Sequence, residues 1–592
     1  MRLALVVLAA LVTLGPAVQA QQPNIVLIYT DDQRFDELDF MPNVQRLLAE
    51  GVSLTRFYAA TPACCPARAT ILRGQHAHSH GVLTSKGAFR GGWDEWRRLD
   101  RGSSTLPMWL QEAGYRTGFY GKYINGYPSL QDTTYVPPGW DDFLGGYMRL
   151  TRGAFFDWRA NDNGTRRQWG FEEEDYRTDV EGGYLTRFIT RSLDEGRPFF
   201  AWYAPIAPHA IAGSPDGAVP PTPAPRHEGM FADMPGLRRP SFDEADVSDK
   251  TRFLDRFERL SAAEIERIDS YRRTRAESMM AVDEVLGDVL DLLAARGALD
   301  DTYIVFTSDN GFHLGEHRLP PERKGYPYEE SVRMPVVIRG PEIPPGSRVD
   351  DLLGNVDLAQ TFAAWAGAQT PDFVEGRSFA DRIVGGEALP PFRTALLNER
   401  WNSSAGAPLY FESVVTRRYK LSRWSILDDG SIELYDLAAD PGELRSIHAE
   451  RPGLADSLAA VLDDLSGCAG AECRVADRLW RGGDLLGGGG GGGGAGGPAD
   501  ADTTGVEFEI VGPYPNPARE SIAVRLRAPE ASVASLRIVN ALGQTLARAR
   551  RLFDGEGTVV RFPVAAFAAG VYSVEIDAEP GGRTRRSFVV RR

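Results

Sequence analysis

The sequence predicts an α/β fold: a mainly parallel sheet flanked by helices. A small antiparallel subdomain follows, and a separate all-β sandwich closes the chain. Three observations predict it. Short apolar strands alternate with stretches of helical period up to residue 308, the pattern of a parallel sheet with helical connections. Two of these strands end in polar pairs. Asn24–Thr30 (NIVLIYT) runs into Asp31-Asp32, and 303–308 (YIVFTS) runs into Asp309-Asn310. Oxygen ligands delivered from the carboxyl ends of strands are how an open α/β sheet builds a site. Last, an uninterrupted glycine run at 487–494 separates this part from a final module of about ninety residues. Such a run buries no core and acts as a tether.

The elements follow in order. Residues 1–20 read as a secretory signal peptide: Arg2, an apolar run over 3–14, then Val18-Gln19-Ala20 as cleavage site. No other segment is apolar and long enough to span a bilayer. Residues 43–50 read as helix. Cys64-Cys65-Pro66-Ala67-Arg68 opens a helix over 67–72. Residues 106–113 read as helix, 116–120 as strand and 198–203 as another apolar strand. Met279, Val282, Val285, Val289 and Leu292 carry a 3.6-residue period through 278–296, leading into 303–308. From about Thr394 the pattern changes to short strands at 413–416, 420–422 and 433–436, then a helix near 455–465. Cys468 and Cys473 bracket a short loop; in an exported chain they read as a local disulfide, with a two-ligand metal site as the alternative. The last module shows period-2 strands at Ile522/Val524/Leu526, Leu536/Ile538 and Tyr572/Val574/Ile576, separated by turns such as Asp554-Gly555. The expected units are 1–20, 21–393, 394–482, the linker 483–505, and 506–592.

At 592 residues the chain exceeds one ordinary domain, and its 43% hydrophobic content is globular. The net charge of −15 argues against a nucleic-acid partner. It also requires that an anionic substrate be held by a local basic pocket. Asp31, Asp32, Asp309 and Asn310 offer three carboxylates and an amide oxygen, a donor set suited to a hard divalent cation such as Ca²⁺.

An isolated C-x-P-x-R string is common by chance. Combined with the acidic strand ends, it resembles the signature of the sulfatase family, and the resemblance runs over 23–473. That family has an alkaline-phosphatase-like fold and holds one Ca²⁺, here through Asp31, Asp32, Cys64, Asp309 and Asn310. Its signature Cys, here Cys64, is oxidised by a formylglycine-generating enzyme to an aldehyde that hydrates to a gem-diol. Cys65 fills the variable position, Ala67 replaces the commoner Ser, and Arg73 stands where Thr is usual. A thiol is a soft, poor ligand for Ca²⁺, whereas a gem-diol offers hard oxygens. One of those oxygens would attack sulfur, and the second hydroxyl would let the sulfate leave.

The resemblance implies further roles. Arg68 lies one helical turn beyond Cys64 on the same face and would brace the sulfate. Lys122 in Gly121-Lys122-Tyr123-Ile124-Asn125-Gly126 matches a family loop lysine. His209, in Ala207-Pro208-His209, would contact the sulfate and the leaving-group oxygen. Lys324, four residues before Tyr328-Glu329, would be the general acid. The Gly-Lys-Tyr-x-Asn form and Tyr135-Val136-Pro137-Pro138-Gly139-Trp140 resemble the N-acetylglucosamine-6-sulfatases and related glycosaminoglycan sulfatases. His76, His78 and His80 read as rim or substrate contacts; His313 and His317 are left without a role. Glu433-Leu434-Tyr435-Asp436-Leu437 resembles the sulfatase C-terminal subdomain. Tyr514-Pro515-Asn516-Pro517-Ala518, Asn540-Ala541-Leu542-Gly543 and the ending Phe588-Val589-Val590-Arg591-Arg592 resemble a type IX secretion C-terminal sorting domain. A tethered carbohydrate-binding β-sandwich is the alternative for that module.

The expected function is a secreted or cell-surface sulfatase acting on sulfated glycans, matured and exported by dedicated machinery. Two readings compete: a phosphonate or phosphate monoester hydrolase of the same superfamily, and an inactive glycan-binding protein.

Overall fold

The computed structural model describes residues 22–480, apart from 86–89, 130, 148–153, 215–216, 320–322, 386–388, 403–408 and 426–429, together with Phe567 and the strands within 509–590. The signal peptide, the glycine run and the phrases at 515–518, 540–543, 554–555 and 591–592 lie outside the described residues.

Ten strands form the main sheet: β1 (Asn24–Thr30), β2 (Val52–Leu54), β3 (Arg116–Gly121), β4 (Asp142–Gly146), β5 (Arg159–Asp162), β6 (Thr165–Gln168), β7 (Phe199–Ala204), β8 (Thr302–Ser308), β9 (Val336–Arg339) and β10 (Ser347–Val349). Their order is β10-β2-β9-β8-β1-β7-β3-β4-β5-β6. The centre, β8-β1-β7-β3-β4, is parallel. Both flanks turn antiparallel, at β8-β9-β2 and at β4-β5-β6. The parallel prediction thus describes the centre, where both faces are covered and strands read as continuous apolar runs.

β1 shows why. Every residue of NIVLIYT is buried, because alternate side chains enter different cores. Ile25, Leu27 and Tyr29 join one cluster, and Val26 and Ile28 join the other. On the first face pack α2 (Cys64–Arg73), α3 (Leu106–Glu112) and α6 (Leu358–Ala366). On the second pack α1 (Pro42–Glu50), α4 (Arg177–Asp194) and α5 (Ala262–Ala295). α5 is longer than the expected 278–296. Its apolar period marks only the half buried on the sheet. Its charged first half starts from a capping box in which Ser261 and Glu264 bond each other's backbone.

A four-stranded antiparallel sheet follows: β11 (Leu396–Trp401), β12 (Leu409–Val415), β13 (Tyr419–Trp424) and β14 (Ile432–Asp436). It is packed by α7 (Pro452–Ser466), whose Leu458, Val461, Leu462 and Leu465 share a core with the Cys468–Cys473 disulfide. Among its described residues the last module forms a three-stranded and a four-stranded antiparallel sheet. Among the described residues no helix is long and apolar enough to cross a membrane.

Candidate active site

Register builds the site. Thr30 of β1 pairs with Ser308 of β8, so Asp31-Asp32 and Asp309-Asn310 leave the sheet side by side. Asp32 adopts a left-handed backbone (φ 71°), an uncommon conformation for a non-glycine residue. Its N–H donates to Asp309 Oδ1 at 3.0 Å, and its carbonyl accepts from Arg275 Nη2 at 2.7 Å. β7 and β3 continue the row. Gly121 Cα would carry a Cβ 2.0 Å from Ala204 O (φ 127°). Only glycine permits this approach, which lets Lys122 N–H donate to Ala204 O at 2.8 Å.

Cys64 takes the first position of α2, after the extended Ala63. The helix therefore extends beyond the expected 67–72 at both ends. One turn on, Arg68 donates to Asp309 Oδ2 through Nε at 3.2 Å and Nη2 at 3.0 Å, and through Nη1 to Lys122 O at 2.6 Å. Lys122 Nζ pairs with Asp31 Oδ2. Lys324 Nζ contacts both Asp32 Oδ1 and Cys64 Sγ. His209 follows a cis Ala207–Pro208 bond. Its Nδ1 lies 2.6 Å from Ala210 O, a pure acceptor, so Nδ1 carries the proton and Nε2 faces Asp32 Oδ2 at 3.6 Å. All nine residues expected at the site are brought together. Lys324, with a side chain 20% exposed, and His209 are its most open members.

The charges are strongly coupled. Burial opposes ionisation of Asp31, but Lys122, His209, Arg68 and Lys324 outweigh it and hold its carboxyl well below the usual range. Asp309 is pushed up to about 7, by burial first and then by Asp31, against Arg68 and Lys122. Burial pushes the Cys64 thiol up. Lys324 is held above its ordinary value: burial opposes its charge, but Asp32, Cys64 and Asp31 favour it.

The donors fit a hard cation. Asp31 Oδ1 and Asn310 Oδ1 are buried and, among the described residues, have no hydrogen-bond partner. Ligand atoms of Asp31, Asp32, Cys64 and His209 lie within 4.8 Å of one another. Two orphaned oxygens beside clustered carboxylates are what the ligand set of a hard divalent cation offers.

The histidine run lies elsewhere. His76 follows the far end of α2, about 15 Å of helix from Cys64 at 1.5 Å per residue. His76 Nδ1 pairs with Glu375 at 2.9 Å, and His78 Nδ1 with Glu399 at 2.9 Å. His78 Nε2 reaches Cys468 O at 3.0 Å, and His80 is fully buried. These residues bind the helix end to the disulfide loop; the expectation of rim contacts gives way to this packing role. Two residues were missed. Arg275 holds the Asp32 carbonyl and pairs with Glu37 at 2.6 Å. Its signal was a charge in line with the apolar stripe of α5, one turn before Met279. Arg400, from β11, donates to Lys324 O at 2.7 Å and to Gly325 O, fixing the lysine's backbone. No local pattern marks it.

With this geometry in hand, comparison with known proteins decides the family. The sulfatase family profile matches residues 23–368. The chain belongs to the sulfatase family. A profile described as N-sulphoglucosamine sulphohydrolase, C-terminal, matches 315–465, and one for a secretion-system C-terminal sorting domain matches 513–591. The sorting reading of the last module therefore stands over the carbohydrate-binding one. An extracellular sulfatase SULF-1 homolog of Drosophila melanogaster is 34% identical over 65% of this chain and 33% of its own length. A Sulf-1 homolog of Caenorhabditis elegans, 35% identical, is covered over 52% of its length. The chain thus spans about half or less of these two relatives. Human N-acetylglucosamine-6-sulfatase is 28% identical over 78% of this chain and 87% of its own. A solved structure described as in complex with its substrate D-glucosamine-2-N,6-O-disulfate superposes with TM-score 0.58 at 25% identity, covering 75% of this chain and 97% of that one. The phosphonate monoester hydrolase of Agrobacterium radiobacter shares the fold, with TM-score 0.56 at 21% identity, covering 75% of this chain and 95% of that one.

Proposed function

We propose that this sulfatase-family protein is an exported enzyme that hydrolyses sulfate monoesters on glycans, with 6-O-sulfated N-acetylglucosamine-like residues as substrate. The carrying observation is the convergence of Lys324, Arg68, Lys122 and His209 on Cys64 and the acidic strand ends. Cys64, matured to formylglycine by a modifying enzyme, is the nucleophile. The residues that would hold the metal are Asp31, Asp32, Asp309 and Asn310, with residue 64; a bound Ca²⁺ supplies Lewis-acid stabilisation of the charge on the transferring group.

The chain's own residues do the rest. Arg68 and Lys122 present fixed positive charge to the sulfate oxygens from a buried setting, where it costs no reorganisation during reaction. His209 offers Nε2 to the ester oxygen, its tautomer set by Ala210 O. Lys324 is protonated and partly open to the pocket, so it can give a proton to the departing alkoxide. The 6-sulfatase names among the relatives support the substrate class. The sorting domain supports delivery to the cell surface or medium, from units at 21–393, 394–482 and 506–592.

The test is a sulfate-release screen of matured enzyme across defined sulfated saccharides, run beside aryl phosphate and phosphonate esters. Release from 6-O-sulfated glucosamines with the highest kcat/KM is expected. Faster turnover of the phosphonate ester would overturn the proposal.

A further inference from the structure

A second group of ionisable side chains lies behind the loop that carries Lys324, and the reaction uses none of it. His317 and Glu330 bracket that loop on either side of Lys324, Glu244 comes from the segment before α5, and Glu443 follows β14. All four are buried.

His317 Nδ1 lies 2.8 Å from Glu244 Oε2. A carboxylate accepts, so Nδ1 keeps its proton there and Nε2 is left as a donor atom for an ion, the arrangement of a carboxylate-oriented metal ligand. Nε2 faces Glu330 Oε2 at 3.6 Å. Among the described residues neither atom has a hydrogen-bond partner. With a carboxylate oxygen of Glu443 they lie within 4.8 Å of one another. Two ligands of one tetrahedral zinc, at its usual bond lengths, sit about 3.4 Å apart. A 3.6 Å gap is long for a hydrogen bond and right for two donors sharing an ion.

The surroundings hold these donors in place. His317 sits at φ 53° and its ring stacks on Tyr328 at 4.0 Å. Glu330 Oε1 accepts from Ser241 Oγ at 3.0 Å. His313, buried beside Tyr326 and Tyr328, has neither ring nitrogen bonded among the described residues. Glu244, Glu329, Glu330, Glu433 and Glu443 face Lys250, Lys420, Arg34 and the more distant Arg333. Lys420 Nζ lies 2.6 Å from Glu443 Oε1, and Glu329 N–H donates to Glu443 Oε2 at 2.7 Å.

We propose that His317, Glu330 and Glu443 form a second metal site for a divalent transition ion, Zn²⁺ by its mixed nitrogen and oxygen donors, sharing no residue with the Ca²⁺ set. The ion would tie the Lys324 loop to the small antiparallel subdomain.

The experiment is a ZnCl₂ titration of full-length protein, stripped of transition metals and kept saturated with Ca²⁺, followed by calorimetry and elemental analysis. Wild type is expected to bind one zinc per chain with a rise in Tm. His317→Gln and Glu330→Gln should each weaken binding on the order of 100-fold or more. The second keeps the readout if the first fails to fold. Cys64→Ser should leave zinc binding intact; the active-site thiol belongs to another set able to take this ion, and Cys468 and Cys473 are tied up in their disulfide. Folded wild type that takes up no zinc would overturn the site and leave the cluster an ion-pair network. So would zinc lost in Cys64→Ser but kept in His317→Gln.

Discussion

Arg393 and Arg68 are both buried guanidiniums facing aspartates, and they differ in how completely their partners are satisfied. Arg393 donates to both oxygens of Asp357 at 2.6 Å and to Asp477 at 3.1 Å. Backbone N–H groups of Gly354 and Arg377 complete the Asp357 carboxylate. Arg68 gives two bonds to a single oxygen of Asp309, while Asp31 Oδ1, 3.9 Å away, takes none. The first cluster is a closed joint between α6 and the segments flanking the small sheet. The second is open-ended: its orphaned oxygens and displaced pKa values mark a place built for something else to bind.

The sharpest attack on that distinction is Cys64→Ser. It removes the thiol proposed to mature to an aldehyde and changes little volume. Turnover should fall roughly 10⁴-fold or more with Tm unchanged, read by sulfate release and thermal scanning. Rapid multiple turnover by this variant would break the formylglycine mechanism. Next comes Lys324→Ala. An alkyl sulfate needs its proton in the transition state and should lose about 10³-fold in kcat, while a nitrophenyl sulfate should lose far less. Equal losses would make Lys324 a sulfate-binding group.

Arg393→Ala probes the closed joint. Asp357 and Asp477 would be left buried and uncompensated, so unfolding free energy should drop by about 3–5 kcal/mol in denaturant titrations. The kcat of the folded fraction should stay unchanged. A similar but smaller effect is expected at His78, where partial burial opposes charge but Glu399 raises it to about 9. Its folded pKa lies above the ordinary 6.5, so its contribution is full below pH 6.5 and is lost as pH rises through 9. Wild type should lose about 3 kcal/mol across that window that His78→Gln does not lose. Parallel slopes in the two proteins would dismiss the pair. The smallest effect is expected from deleting 506–592: kcat/KM of the purified enzyme should not change, because a glycine tether implies few packing contacts. Fractionation of the native host should show the truncated chain retained in the cell. Normal export would remove the transport role of this module.

Several parts of the site were legible because their cause is local. The strand ends were readable because a strand buried on both faces must be continuously apolar, so the polar pair after it is conspicuous. Cys64 and Arg68 were readable because one helical turn separates them. Arg400 was not, since it acts through backbone carbonyls 75 and 76 residues away in sequence. The first half of α5 was missed because a solvent-facing helix has no apolar stripe to betray it. The histidine run misled because composition says nothing of partners: Glu375 and Glu399 lie 299 and 321 residues further on.

By itself, the sequence determined the alternation of strand and helix, the chemistry available at each strand end and the sorting phrases, all set by neighbours within a few residues. Only the tertiary structure decided which charges meet. Asp309 reaches Arg68 across 241 residues and Lys324 reaches Asp32 across 292. The register of β1 against β8 sets Asp32 beside Asp309, and α2 and the Lys324 loop bring the cations to them. Coulomb energy depends on distance and on how much water is excluded, and neither is written in the order of the residues.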